Sequence, residues 1–497
     1  MTAAIITPTF KVIDDKISFN LGAGMDVPTG TYTKGMRGEN ILNGGMPFSI
    51  GVVGGPNTFK TTIAKYCLYV VFSMFVKNPN CFGNTYDTEN NVLLEREFEL
   101  CEHIERLNGE LNPFSPDALS AKEPRFQVSD KTLYMGNEWF EEFKVWLNGR
   151  IQNREKLLID LPIVDPKTKG PRKILVPFVA LLDSLTEFET QDVQDMKNKN
   201  ELGDSGANTL FMRQGLSKAR MVSELATLVP KSGSYMALTA HVGKNIMNDP
   251  YAPPKKDLQY LKNGDVIKGV TSKFLFLTQV CWHTLSAPPM MTKDKTPEYP
   301  RDQSDDVVGD TDLVCITMTI LRNKVGGSGG IVQVIASQEE GVLPSMTEFH
   351  LIKTNDRFGF EGNDRNYNLV LLPDVKLSRT TIRRKIDENP KLRRALNILS
   401  ELCQQINLWV DGDGLFCTPK ELYDDLMAIG YDWDTLLNTR YYYLPNQYDP
   451  TEKPFLSTKD LLEMRVGKYV PYWWDQKAKP LDMSKCKTPK KPAFVFE

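Results

Sequence analysis

Apolar runs of two kinds alternate along the first half of the chain, some continuous and some spaced near 3.6 residues. "FSIGVVGG" (48–55) is a continuous run that ends on glycines and predicts a strand and a tight turn, followed by a helix over about Thr61–Val76. "CFGNTYDTE" predicts a second strand and "RFQVSDKTLYMG" a third, shorter one. "NEWFEEFKVWLNGRIQNRE" has the helical spacing. "ILVPFVALLDSLTEF" reads as one continuous apolar strand ending on Asp183, "TLFMRQGLSKARMVSELATLV" as an amphipathic helix, and "SYMALTAHV" as a further strand. Nearly all-apolar strands alternating with helices predict an α/β fold with a mostly parallel sheet covered on both faces.

The pattern shifts after about Val270. "KFLFLTQVCWHTLSA", "DLVCITMTILRNKVG" and "GIVQVIASQEEG" are strand-like, with "VGGSGG" as a turn, and predict an antiparallel extension of the sheet. The Pro-rich stretch "SAPPMMTKDKTPEYPRDQSDDVVGDTD" predicts a solvated loop. From about residue 375 the chain reads as helical and rich in Trp and Tyr, with Thr418 as an N-cap candidate before "PKELYDDLMAIG". The expected organisation is an arm or linker over 1–40, a core over 41–350, and an α-rich unit over 375–497 ending in a basic tail, Lys485 to Lys491. Trp473 and Trp474 are either core packing or a partner surface.

Composition narrows the class. The formal net charge is −3, so the chain as a whole is not a polycation, and any nucleic-acid contact must come from a local basic surface. Eight scattered cysteines without a Cys-x-x-Cys pair argue against a disulfide framework or a zinc site, and a reduced, cytoplasmic protein is expected. The run "IAKYCLYVVFSMFV" contains Lys65 and is shorter than the ~20 residues of a membrane span, so it reads as a buried helix.

Candidate chemistry begins at the first turn. Gly54, Gly55, Pro56, Asn57 and Thr58 lie between a strand and a helix, where backbone N–H groups can surround phosphates. Gly54 is followed by four residues and then Phe59-Lys60-Thr61-Thr62, one residue away from the usual Gly-Lys-Ser/Thr spacing. Phe59 gives up the easy positive φ of glycine. Lys60 can reach the β and γ phosphates of ATP, and Thr61 can ligate Mg²⁺. Asp183, at a strand end, is a second candidate for the Mg²⁺ shell. Asp87 and Glu89 end the second strand as a general base or an ordinary cap. His241 ends the strand after that of Asp183, where open α/β sheets bind ligands.

The order of these motifs resembles RecA-type recombinases, closest to the UvsX-like proteins of bacteriophages, over roughly residues 35–345. Members of that group also carry Phe-Lys-Ser/Thr, which Phe59 matches. The resemblance implies a RecA-like P-loop ATPase core and Glu89 as the catalytic glutamate of "TYDTEN". It also implies Asp183 with Ser184 as the Walker-B segment, and His241 of "TAHVGK" as the γ-phosphate sensor. Arg322 and Lys324 of "ILRNKVGG" are implied to reach a neighbouring subunit's ATP, and Arg96 is a candidate cover for the adenine. Single-stranded DNA is expected on two loops. The first spans about Gln191 to Asn208, with Lys197, Lys199 and, on the next helix, Arg213 and Arg220. The second spans about Gly243 to Gly269, with Lys244, Lys255, Lys256, Lys262 and Lys268 and with Tyr251 and Tyr260 interleaved. The implied activity is a DNA-dependent ATPase that forms filaments on single-stranded DNA for homologous pairing and strand exchange. Mediator or single-strand-binding proteins are possible partners, and no membrane is involved. A ring-forming helicase on the same core and a nucleotide-binding structural paralogue are the alternatives. The arm over 1–40 shows no helix of the kind the family docks on a neighbour, and the last ~120 residues match nothing in the family.

Overall fold

In the computed structural model of the chain, the described residues are 17–22, 25–26, 32–89, 92–129, 136–186, 188, 207–244, 258–268, 270, 274, 278–309, 311–324, 327–408 and 414–489. Strands, in chain order, are β1 (Tyr32–Lys34), β2 (Asn40–Leu42), β3 (Ser49–Gly54), β4 (Phe82–Asp87), β5 (Phe126–Ser129), β6 (Leu158–Val164), β7 (Pro171–Leu175), β8 (Phe178–Asp183) and β9 (Ser234–Lys244). They continue as β10 (Asp265–Ile267), β11 (Val280–Ser286), β12 (Leu313–Asn323), β13 (Ile331–Ser337), β14 (Gly341–Val342), β15 (Phe360–Gly362), β16 (Tyr367–Leu369) and β17 (Leu372–Leu377). The longer helices are α1 (Lys60–Met74), α2 (Leu94–Glu102), α3 (Gly136–Gln152), α4 (Ala207–Lys231), α5 (Pro344–Thr354), α6 (Ile382–Glu388), α7 (Pro390–Leu408), α8 (Pro419–Ile429) and α9 (Thr458–Arg465).

Ten of the strands form one sheet in the order β14-β13-β12-β11-β3-β9-β8-β4-β5, with β10 paired to β9. The run from β11 to β5 is parallel throughout. The antiparallel extension starts at β12. β11 was expected within that extension; it instead lies parallel to β3. The long run "ILVPFVALLD" is also divided. Pro177 cannot donate to a ladder, and the chain on its two sides belongs to different sheets: β7 forms a hairpin with β6, and β8 enters the central sheet.

α1 packs against β3, β8 and β9. Every residue from Ile63 through Met74 is buried, which accounts for an apolar run without a polar face. Its one internal charge, Lys65, is matched by an ion pair with the fully buried Glu97 of α2, which also accepts from the Tyr69 hydroxyl. No described helix is long and apolar enough to cross a membrane.

A second cluster of buried apolar residues joins α5 to the helices after residue 380, through Phe349, Leu396, Leu399, Leu422 and Leu461. α8 opens at Thr418 with a reciprocal capping box to Glu421 and closes on Gly430 at φ 107. The expected solvated loop over 286–312 is clamped to this region. Arg379 pairs with Asp306, and Arg383 with Asp312 and Glu340. Trp473 and Trp474 donate to the carbonyls of Phe455 and Lys479, each at 3.1 Å, and Trp474 is buried. The described part of the N-terminal 40 residues is packed as well. Phe19, Leu21 and Met25 are buried in the main core, and Asn40 donates to Asp460 of α9 at 2.7–2.8 Å.

Candidate functional site

Register brings the motif residues to one edge of the sheet. Gly54 is level with His241 on one side and with Thr284 on the other, while Asp87 is level with Asp183. The C-terminal ends of β3, β4, β8, β9 and β11 therefore open on one crevice, the position at which α/β sheets take ligands.

The turn after β3 is tightly built. A Cβ on Gly54 would come within 2.0 Å of Thr284 Oγ1 and 2.7 Å of Thr58 Oγ1, so only glycine fits there. The Thr58 hydroxyl bonds the Gly55 carbonyl at 2.8 Å and Thr284 Oγ1 at 2.7 Å. Pro56 and Asn57 are exposed at the tip of the turn. Asn57 and Phe59 both take positive φ, 55° and 62°. Phe59 thus adopts the left-handed conformation that glycine would take without cost, and its ring packs on the main core.

The Lys60 ammonium is folded into the turn, donating to the Gly55 carbonyl at 2.8 Å. Burial lowers its pKa, and the charges of Asp183 and Glu89 work against that. Thr61 donates to Asp183 Oδ2 at 2.8 Å, and Thr239 donates to Asp183 Oδ1. Burial raises the Asp183 pKa against these two hydroxyls. Thr61 and Asp183 offer hard oxygen donors side by side, a set that suits Mg²⁺. Thr62 lies in the first turn of α1, its methyl 3.6 Å from where a Cβ on Gly341 would be.

Asp87 and Glu89 separate into different roles. Asp87 is buried and caps the turn, accepting from the Glu89 and Val92 N–H groups at 2.9 Å each. Glu89 is partly exposed, with Oε1 3.1 Å from His241 Nε2. Partial burial raises its pKa, but the hydrogen bond and charge of His241 and the charge of Lys60 outweigh it, so the carboxyl lies below its usual range. Thr88, between them, latches β4 to β8. Its N–H donates to the Asp183 carbonyl at 2.7 Å, and its hydroxyl accepts from the Ser184 N–H at 2.8 Å.

Arg322 and Lys324 are not gathered here. Arg322 pairs in register with Cys281, which lies beside Gly51, and the Lys324 N–H donates to the Gln279 carbonyl at 2.9 Å. Both lie toward the opposite end of β3 from the turn. Arg96 lies on α2 with its guanidinium 3.7 Å from Glu99. Of the candidate DNA contacts, Lys197, Lys199, Lys255 and Lys256 fall outside the described residues, and for Arg213 only its place on α4 is described. Lys244 is ion-paired with Asp265 across the antiparallel β9–β10 pair. Lys268 lies across Gly243, and Lys262 is exposed. Tyr260 lies against Gly329 at the end of the β12–β13 hairpin.

The hydroxyls of Thr88, Thr239 and Thr284 were missed by sequence reasoning; the only signal was Thr239 two residues before His241, on the same strand face. Neither a scan of protein-family models nor a search of curated proteins returned a match to this chain.

Proposed function

We propose that the chain is a DNA-dependent ATPase of RecA type that forms filaments on single-stranded DNA and carries out homologous pairing and strand exchange. One observation carries the reading. Lys60, Thr61, Glu89, Asp183 and His241, taken from four separate sequence segments, meet at one sheet edge with Thr61 bonded to Asp183 and Glu89 bonded to His241. A glycine-rich structural turn gives no reason for that convergence. Mg²⁺ between Thr61 and Asp183 would neutralise phosphate charge. Lys60, with a proton loosened by burial and an ammonium already inside the turn, is placed to meet the β and γ phosphates. Glu89, held ionised, orients the attacking water, and His241 reads the γ-phosphate through its contact with Glu89. Arg322 and Lys324, remote from their own turn, act on the ATP of the next subunit. Trans cations of this kind contribute ~10³–10⁵ in rate in related phosphoryl transfers.

The test is turnover with and without single-stranded DNA, together with electron microscopy in an ATP analogue. Filaments are expected, and closed rings would favour a helicase. Lys60→Ala is expected to abolish turnover. Glu89→Gln is expected to keep ATP binding and lose turnover by ~10²–10⁴. Normal hydrolysis by Glu89→Gln would remove Glu89 from the reaction.

A further inference from the structure

Three hydrogen bonds meet around Thr186, which has no part in the site as described so far. Its hydroxyl accepts from the His241 N–H at 2.9 Å and donates to the Lys268 carbonyl at 3.2 Å. The Lys268 N–H returns to the His241 carbonyl at 2.7 Å, which closes a ring of three residues. Thr186 stands five residues before the first DNA-assigned segment, with the buried Phe188 between them, and Lys268 belongs to the described end of the second.

A fourth residue fixes this junction. Lys218 of α4, the helix that follows the first segment, is 1% exposed. Its ammonium donates to the carbonyls of Leu185 at 2.8 Å and Thr186 at 2.9 Å. A buried ammonium is tolerated only when its donors are engaged, so one arrangement of the Leu185–Thr186 backbone is strongly preferred. The chain before the first segment and the described end of the second are thereby tied to the backbone of the residue whose ring contacts Glu89.

We infer that Thr186, held in place by Lys218, is the positioning residue that transmits single-stranded DNA binding to the Glu89–His241 pair. The inference rests on the ATPase reading above. DNA that draws on either segment shifts the Lys268 carbonyl or the Thr186 backbone. His241 is bonded to the Thr186 hydroxyl through its N–H and to the Lys268 N–H through its carbonyl, so its ring moves relative to Glu89. The Thr186 hydroxyl touches both partners, and removing it leaves the Lys268 N–H bond to the His241 carbonyl as their remaining link without touching the phosphate turn.

The experiment uses the full chain and poly(dT), comparing Thr186→Val, Thr186→Ser and wild type. Thr186→Val is expected to keep basal turnover and to lose about fivefold or more of the stimulation by DNA, the lower end of usual coupling strengths. The DNA concentration giving half-maximal stimulation is expected to stay near that of wild type, because the loss lies in the stimulated kcat. Thr186→Ser is expected to restore stimulation. Lys218→Met, which keeps the stem and removes the ammonium, is expected to reproduce the loss. A wild-type ratio of stimulated to basal turnover in Thr186→Val overturns the inference and leaves the ATPase reading intact. So does a parallel fall of both rates that serine fails to rescue. A wild-type chain that hydrolyses nothing overturns the underlying reading, and this inference with it.

Discussion

Asp183 is subject to two opposed effects. Burial raises its pKa, and the hydroxyls of Thr239 and Thr61 lower it. Thr239→Val removes one donor and keeps the shape, so the carboxyl moves further up. A hydrogen bond to a charged group is worth ~1.5–3 kcal/mol, or about one to two pKa units. The acid limb of turnover, and of Mg²⁺-dependent binding of an ATP analogue, is therefore expected to shift to higher pH by about that amount. A pH profile with an unmoved acid limb would show that Thr239 does not tune Asp183. At this scale the sequence was readable where chemistry and position coincide. Asp183 and His241 stand at the ends of apolar strands, Lys60 follows a glycine-rich turn and Glu89 follows an acid at a strand end, places where such a residue is conspicuous. Thr239 and Thr284 are not conspicuous, because threonine is ordinary in strands. Their partners are set by register across the sheet, which no local pattern encodes.

Among the elements, the contact of α5 with α7 holds a buried acid. Glu348 is 3% exposed and accepts from Asn397 Nδ2 at 2.9 Å. Burial, with the nearby acids Glu401 and Asp26, raises its pKa to about 8, against the lowering effects of Asn397 and the Arg394 charge. The folded chain thus keeps a proton that the unfolded chain releases near 4.5. Stability contributed by this group falls as pH rises from the unfolded value toward the folded one and is level above it. Glu348→Gln mimics the protonated acid, so the loss of stability between pH 6 and pH 8 is expected to shrink by roughly 2 kcal/mol, at ~1.4 kcal/mol per pKa unit. Denaturant titrations at the two pH values check this, and an unchanged difference would mean that Glu348 is ionised in the fold. Elements with strong patterns were readable in advance: α1, β9, and α8 with its Thr418 cap. The β6–β7 hairpin was hidden because β7 and β8 read as one run across Pro177. The short strands β15–β17 offer too few residues for a period to emerge.

For the molecule as a whole, the net charge of −3 means that the proposed DNA binding must depend on a few placed cations. Each phosphate neutralised on a single strand adds ~0.7 to the slope of log affinity against log salt. Lys262 is exposed, and its change to alanine is expected to lower that slope by about 0.7 and to weaken all sequences alike. Lys244 is already engaged by Asp265, so Lys244→Ala is expected to change the slope less. Anisotropy titrations over a range of salt measure both, and equal slopes for Lys262→Ala and wild type would take Lys262 off the DNA path.

The register of β12 carries a consequence of its own. Arg322 stands beside Cys281 and Cys281 beside Gly51, three residues and roughly 10 Å of strand short of Gly54. Under the proposed function, one copy divides its labour between two of its faces. Lys60→Ala chains and Arg322→Ala chains, each inert by itself, are then expected to complement each other when blended. Half of the junctions between unlike copies would join an intact turn to an intact cation and regain hydrolysis.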